Sequence, residues 1–173
     1  MSKIKIEIHS GSCCTYYIDD EKKVLIDAGY KFDKKVDIII ITHCHYDHLF
    51  FLSEIAEKWK PVVMAGAKDA ESIEKLDLKT LAKNLKPVKV DRKLKEGDVI
   101  ETGELKLKVI ETPGHTEGSI CLYDEKEQIL FSGDTLFNGD TGRTDLPSGS
   151  EADMEKSLEK LKKLAVKKLY PGH

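Results

Sequence analysis

Three imidazoles and a carboxylate fall within one short stretch, Thr42-His43-Cys44-His45-Tyr46-Asp47-His48, directly after the apolar run Val36 to Ile41. The whole chain holds 6 histidines, so a concentration of this kind is hard to explain as surface decoration. Two more histidines end matching turns, Pro113-Gly114-His115 and Pro171-Gly172-His173. Imidazole and carboxylate are the ligands that bind zinc or iron at neutral pH. At a strand end, residues i and i+2 point to the same side. His43 and His45 can therefore face one ion together, with Cys44 directed away. A following turn into a helix lets Asp47 and His48 face a neighbouring position. Two ions ~3.5–4 Å apart form a known hydrolytic arrangement. His115 and His173 are candidate further ligands, each placed by a Pro-Gly pair that turns the backbone sharply. Asp134, in Ser132-Gly133-Asp134-Thr135 after an apolar stretch, is a carboxylate able to bridge both ions.

Such residues need rigid elements behind them. Lys3 to His9 alternates like a half-buried strand, with Ile4, Ile6 and Ile8 on one face. Tyr16 to Ile18 and Val24 to Ile26 flank Asp19-Asp20-Glu21 and read as a hairpin. Val36 to Thr42, apolar along its length but for Asp37, suits a strand covered on both faces. Leu49 to Lys60 has helical spacing and stops before Pro61. Val62 to Ala65 reads as a strand and Lys68 to Leu85 as a helix with Ile73, Leu76 and Leu81 on its apolar side. Short strands are expected at Val88 to Val90, Val99 to Ile100 and Leu105 to Thr112. Ile120 to Tyr123 and Gln128 to Ser132 form a second hairpin. Ser150 caps a helix from Glu151 to about Leu164, with Met154, Leu158 and Leu161 inward. Val166 to Tyr170 is a closing strand. The mixture argues a layered α/β protein, with the chemistry-bearing residues on loops just after strands.

The chain has 173 residues, 40% hydrophobic and 34% charged, which fits one domain over residues 1–173. A net charge of -3 gives no reason to expect nucleic acid as the main partner. The lysines near the C-terminal end, Lys160 to Lys168, read as a solvated face. The N-terminus lacks the apolar core and cleavage site of a signal peptide, and no run approaches the ~20 apolar residues of a membrane span. The 4 cysteines form no CxxC pair, so a reduced, cytoplasmic protein is expected. Cys13 and Cys14 read as packing residues and His9 as a strand-end or surface residue. Tyr46 either lines the pocket or supports its loop. Arg143 and Asp145 are expected as a buried pair bracing the loop after Asp134.

His43-x-His45-x-Asp47-His48, the Thr-Pro-Gly-His115-Thr-x-Gly-Ser stretch, Gly133-Asp134-Thr-Leu-Phe and Pro-Gly-His173 together resemble the metallo-β-lactamase superfamily, from about residue 4 to the end. Gly142-Arg143-Thr144-Asp145 further resembles the branch holding hydroxyacylglutathione hydrolases (glyoxalase II) and persulfide dioxygenases. The resemblance implies a four-layer αββα sandwich. It implies His43, His45 and His115 on metal one, Asp47, His48 and His173 on metal two, and Asp134 between them. It also leads to the expectation that metal two, with a ligand on the last residue of this sequence, is the looser site. A C-terminal glutathione-holding helical domain of the glyoxalase II kind is not in the sequence, which turns the expectation away from a specific glutathione thioesterase.

The expected activity is that of a metal-dependent hydrolase with two zinc ions, in which hydroxide attacks an ester, thioester or similar carbonyl of a small-molecule substrate. Asp47 is the expected catalytic residue, orienting the nucleophile, and no Ser or Cys nucleophile is required. The alternative is a mononuclear iron persulfide dioxygenase holding Fe(II) on His43, His115 and Asp134. An inactive scaffold is disfavoured because no expected ligand is missing.

Overall fold

Two sheets carry the protein in a computed structural model that describes residues 4–173; Met1 to Lys3, with the start of the expected first strand, lie outside the described residues. The first sheet has the order β1 (Lys5–Ser10), β2 (Cys14–Asp19), β3 (Lys23–Ile26), β4 (Ile38–Ile41), β5 (Val62–Gly66), β6 (Arg92–Leu94). Its first three strands form an antiparallel meander, and β3 to β6 run parallel. The second sheet is built from β7 (Val99–Glu101), β8 (Lys106–Glu111), β9 (Ile120–Asp124), β10 (Ile129–Gly133) and β11 (Lys168–Pro171), in the order β11-β10-β9-β8-β7. It is antiparallel except for the β10/β11 pair.

The continuous apolar run in β4 is explained by burial on both faces. Ile38 and Ile40 point into the core between the sheets, against Met64, Leu107 and Phe131. Ile39 and Ile41 point the other way, into a core with Leu52, Ile55 and Ile73 from the helices α2 (Leu52–Trp59) and α3 (Ala70–Lys75), which follow the short α1 (Tyr46–Leu49). Each such side chain, fully buried, contributes about 1.5–3 kcal/mol. On the far face of the second sheet, Cys121, Tyr123 and Leu130 pack on Leu161 of α4 (Glu151–Leu161). The layers are thus helix, sheet, sheet, helix: the four-layer αββα sandwich that the motifs implied. Ser150 caps α4 by accepting from the Asp153 N–H, as its position before Glu151 predicts.

Four local expectations are corrected. The helix expected over residues 68–85 ends at Lys75: Leu76 adopts a left-handed φ of 49° and bonds back to Ser72, while Asp77 takes the Lys79 N–H and starts a separate 3₁₀ turn, Leu78–Thr80. A short carboxylate that can bond nearby backbone competes with the helix in this way. The strand expected at 88–90 does not form, because the Val90 N–H donates to the Glu74 carboxylate; the pairing strand is Arg92–Leu94 instead. The helix expected over 49–60 is split at Phe51, whose N–H is drawn to the Ala28 carbonyl. Ile4 and Ile6 pack on the inter-sheet core, but Ile8, near the end of an edge strand, is 57% exposed.

Candidate metal centre

The parallel topology gathers the chemistry at one edge. β3, β4 and β5 run side by side, and their C-terminal ends lead to Asp27, to His43 through His48, and to Asp69. In the second sheet, β8 and β10 both run antiparallel to β9 and therefore parallel to each other. They lead to His115 and Asp134, and β11, parallel to β10, leads to His173. All seven residues expected at the metal site from the sequence meet there.

The three-histidine half is tight and dry. His43, His45 and His115 are at most 4% exposed, and one donor atom from each lies within 4.8 Å of the others. His45 Nδ1 is 2.8 Å from His115 Nε2. The other ring nitrogen of His115, Nδ1, sits 2.8 Å from the Arg143 carbonyl. A carbonyl can only accept, so Nδ1 carries the proton and Nε2 is left with its lone pair facing inward. Thr42 works similarly on His43: its hydroxyl donates to Asp27, leaving its oxygen free to accept from His43 Nδ1 at 3.2 Å. Burial pushes His43 well below the usual imidazole range, with His48 adding to the effect. It brings His45 down to about 4, helped by the neighbouring His115.

The other half mixes charge of both signs. Asp47, His48 and His173 also offer atoms within 4.8 Å of one another, with His173 Nε2 at 3.0 Å from Asp47 Oδ2. Asp134 lies between the halves: Oδ1 is 3.2 Å from His48 Nε2, and Oδ2 is 3.6 Å from His115 Nε2 and 3.4 Å from His173 Nε2. His48 is fully buried, and burial opposes its charge most strongly, yet the facing Asp27 carboxylate, together with Cys13 and Asp134 beside it, raises it well above the usual range. Hydrogen bonds to Asp134 and Asp47 raise His173 to about 9. Burial would raise Asp134, but the facing His173 and His48 imidazoles hold it far below the usual carboxylate range. Asp47 is lowered too, its burial outweighed by the hydrogen bond from His173 together with the charge of His48.

A metal ion answers two features of this arrangement. His43 Nε2, His48 Nε2 and Asp134 Oδ1 are buried without any hydrogen-bond partner, although such atoms in protein interiors are normally paired. The backbone also yields to the cluster: a Cβ built on Gly172 would fall 2.0 Å from Asp134 Oδ1 and 2.9 Å from His48 Cε1. Only glycine lets the chain pass so close, which explains the Pro-Gly before His173. At Gly114, φ of 145° and a would-be Cβ 2.5 Å from the Met154 Cα impose the same choice before His115.

Two carboxylates that the sequence did not single out hold the halves in place. Asp27 accepts from the Thr42 N–H and hydroxyl, both at 2.8 Å, and faces His48 Nδ1 at 2.8 Å. Its own backbone is left-handed, φ 61°, a conformation Asp tolerates better than most residues. Asp69 is fully buried; its Oδ2 accepts from the Cys44 N–H at 2.9 Å and from the Thr116 hydroxyl at 2.7 Å. One carboxylate therefore ties the His43–His45 loop to the His115 loop. The signal that marks both is the one that marks Asp134, an Asp on the loop just after an apolar strand.

Other expectations divide. Cys44 points into the core beneath the helices, away from the site. Cys13 is buried, but it lies within 4.8 Å of donor atoms on Asp27 and His48, closer to the chemistry than a hairpin packing residue. Arg143 and Asp145 do pair, bidentately at 2.7 Å, yet the pair is exposed, not buried; the brace is the Arg143 carbonyl on His115. His9 stands apart, stacked on Tyr30. Tyr46 is 44% exposed beside the site. No helix among the described residues is long and apolar enough to cross a membrane.

The sequence profile of the metallo-beta-lactamase superfamily matches residues 30–173. A probable metallo-hydrolase of Methanocaldococcus jannaschii, MJ0888, is 32% identical over 191 residues, covering 98% of this chain and 91% of its own. A hydroxyacylglutathione hydrolase of Bartonella quintana is 34% identical over 154 residues, or 88% of this chain; the match spans about half, 54%, of that relative. Among solved structures, the di-iron-bound form of TTHA1623 superposes with a TM-score of 0.82 at 29% identity, covering 98% of this chain and 92% of the other.

Proposed function

The chain belongs to the metallo-beta-lactamase superfamily, and on that premise we propose that it is a two-metal hydrolase acting on an ester, thioester or similar carbonyl of a small molecule. One observation carries this reading: side chains from four separate places in the chain converge on two adjoining donor sets while buried nitrogen and oxygen atoms there lack partners. His43, His45 and His115 would hold the first ion, Asp47, His48 and His173 the second, and Asp134 both. Divalent ions in such a site, zinc in the first instance, bring the pKa of water toward neutrality and polarise a carbonyl oxygen. The chain's own part is positional. Asp47, held below the usual carboxylate range, is ionised at neutral pH and accepts a hydrogen bond from the attacking water, fixing its direction. The buried imidazoles exclude bulk water from the first donor set, and Asp27, Thr42 and the Arg143 carbonyl hold their ring nitrogens in the binding tautomer.

A mononuclear iron centre on His43, His115 and Asp134 is the competing reading, and it leaves the convergence of Asp47, His48 and His173 unused. Metal analysis of protein purified without oxygen, run beside an ester, thioester, lactone and persulfide panel, separates the two. Two ions per chain with carbonyl hydrolysis is the expected result. One iron per chain with oxygen uptake on a persulfide would replace the hydrolase reading.

A further inference from the structure

We propose that the groove walled by Tyr46, Phe50, Leu78 and Leu81, beside the metal centre, takes an unbranched apolar chain of the substrate; the proposal rests on the hydrolase reading and specifies its substrate class. These four large side chains are 44%, 48%, 88% and 38% exposed. Single exposed apolar residues are ordinary, but these converge on one groove of about 910 Å³, within the range of small-molecule sites. Folding does not account for them. Leu78 and Leu81 belong to the stretch whose spacing suggests one long helix with Leu81 inward. In the structure that helix breaks at Leu76, and both leucines end up facing outward.

Both walls are fastened to the metal centre. Tyr46 sits between His45 and Asp47 in the chain, and Phe50 follows one helical turn later on the same face. The opposite wall is the Leu78–Thr80 turn, and Lys79 in that turn is ion-paired with Glu117, two residues beyond His115. The groove thus runs between α1 and the 3₁₀ turn, two elements each tied to a loop that carries metal-site residues. Its acidic lining residue, Asp77, has its oxygens engaged by the Ser72 hydroxyl and the Lys79 N–H, which leaves Lys83 as the charged group on a lining otherwise made of carbon-rich side chains. A chain of several methylenes, rather than a sugar or a peptide, suits such a wall. Each methylene moved from water onto it is worth about three- to fourfold in affinity.

The test uses the zinc-loaded protein and two substrate series. One lengthens the acyl side, from p-nitrophenyl acetate to octanoate; the other lengthens the leaving side, from S-ethyl to S-octyl thioacetate. In one of the two series KM should fall about three- to fourfold per added methylene with kcat little changed, and the series that responds identifies the half of the substrate in the groove. Phe50→Ser combined with Leu78→Ser, both surface changes, should flatten that slope while leaving turnover of the shortest substrate as in the parent. Flat KM in both series, or an unchanged slope in the double variant, overturns the proposal. If none of the carbonyl substrates is hydrolysed, the hydrolase reading has failed separately, and the groove is judged by calorimetric binding of octan-1-ol. Binding lost in the double variant upholds it, and no binding overturns it. A concentration-dependent dimer that the double variant dissolves would also overturn it, because the groove would then belong to a second copy of the chain.

Discussion

The two halves of the metal centre are made of similar ligands and prepared in opposite ways. His43, His45 and His115 sit in a dry pocket where burial keeps His43 and His45 neutral. Asp47, His48 and His173 form a charged network, in which carboxylates raise His48 and His173 so that they hold protons at neutral pH. An ion entering the first half has little to displace; one entering the second must first evict protons. The difference shows that ligand identity alone does not set affinity. The surroundings decide which protonation state the ligand starts from.

The sharpest way to break this comparison is Asp47→Ala. It removes the group assigned to the nucleophile and leaves the three-histidine half untouched. Turnover on whichever substrate proves active should drop by ~10²-fold or more, while one tightly held ion per chain remains. Activity within about threefold of the parent would remove Asp47 from the chemistry and, with it, two-metal hydrolysis as argued from general acid–base roles.

Metal uptake against pH probes the same contrast directly. With His173 near 9 when metal-free, affinity of the second half should weaken as pH falls below about 9. The loss is roughly tenfold per unit for each proton displaced, hence about a hundredfold between pH 8.5 and 6.5 for one proton. The first half, where burial lowers His43 and His45, should lose less affinity over the same range. Competition with a chromogenic chelator at several pH values reads both; parallel pH dependence of the two ions would erase the distinction. The metal-free protein carries a matching signature. A buried imidazole with folded pKa below its unfolded value near 6.5 leaves the unfolded state binding more protons. His45 therefore lowers stability as pH drops from about 6.5 to about 4. His173, raised to about 9, contributes stability present below 6.5 and lost as pH rises through 9.

The supporting carboxylates sharpen the picture further. Asp27→Asn should weaken the second-half ion about 10- to 100-fold, the usual range for such outer partners, because it withdraws the charge facing His48 Nδ1. Asp69→Asn should act on the first half, since Asp69 joins the loops on either side of it. Calorimetry on each variant checks this, and an Asp27 change that loosens the first ion instead would reverse the assignment. The smallest effect is expected outside both halves. Ser150→Ala removes the cap of α4 and should cost about 1 kcal/mol of stability, seen in thermal unfolding, with the number of bound ions unchanged.

Much of this was legible before the fold. The apolar run ending at His43, the hairpins and the Ser150 cap follow from short-range patterning, and each appears where that patterning places it. The stretch from Lys68 to Val90 was not legible. Its apolar spacing is helical, but Asp77 bonding to Lys79 N and Glu74 bonding to Val90 N divert the backbone, and neither pairing leaves a periodic trace. The exposed Arg143–Asp145 pair shows the same limit, since adjacency in sequence says nothing about depth.

By itself the sequence singled out the seven residues that meet at one edge of the fold, because imidazoles and carboxylates on strand-end loops have few other uses and the Pro-Gly pairs announce a backbone that must turn sharply. Only the tertiary structure decided how the seven residues divide into a buried three-histidine half and a charged half. That division depends on burial and on partners distant in the chain: Asp27 for His48, the Arg143 carbonyl for His115, and Asp69 across two loops. A pKa and a tautomer are properties of surroundings, and the surroundings exist only once β3, β4, β5, β8, β10 and β11 bring their ends to one edge.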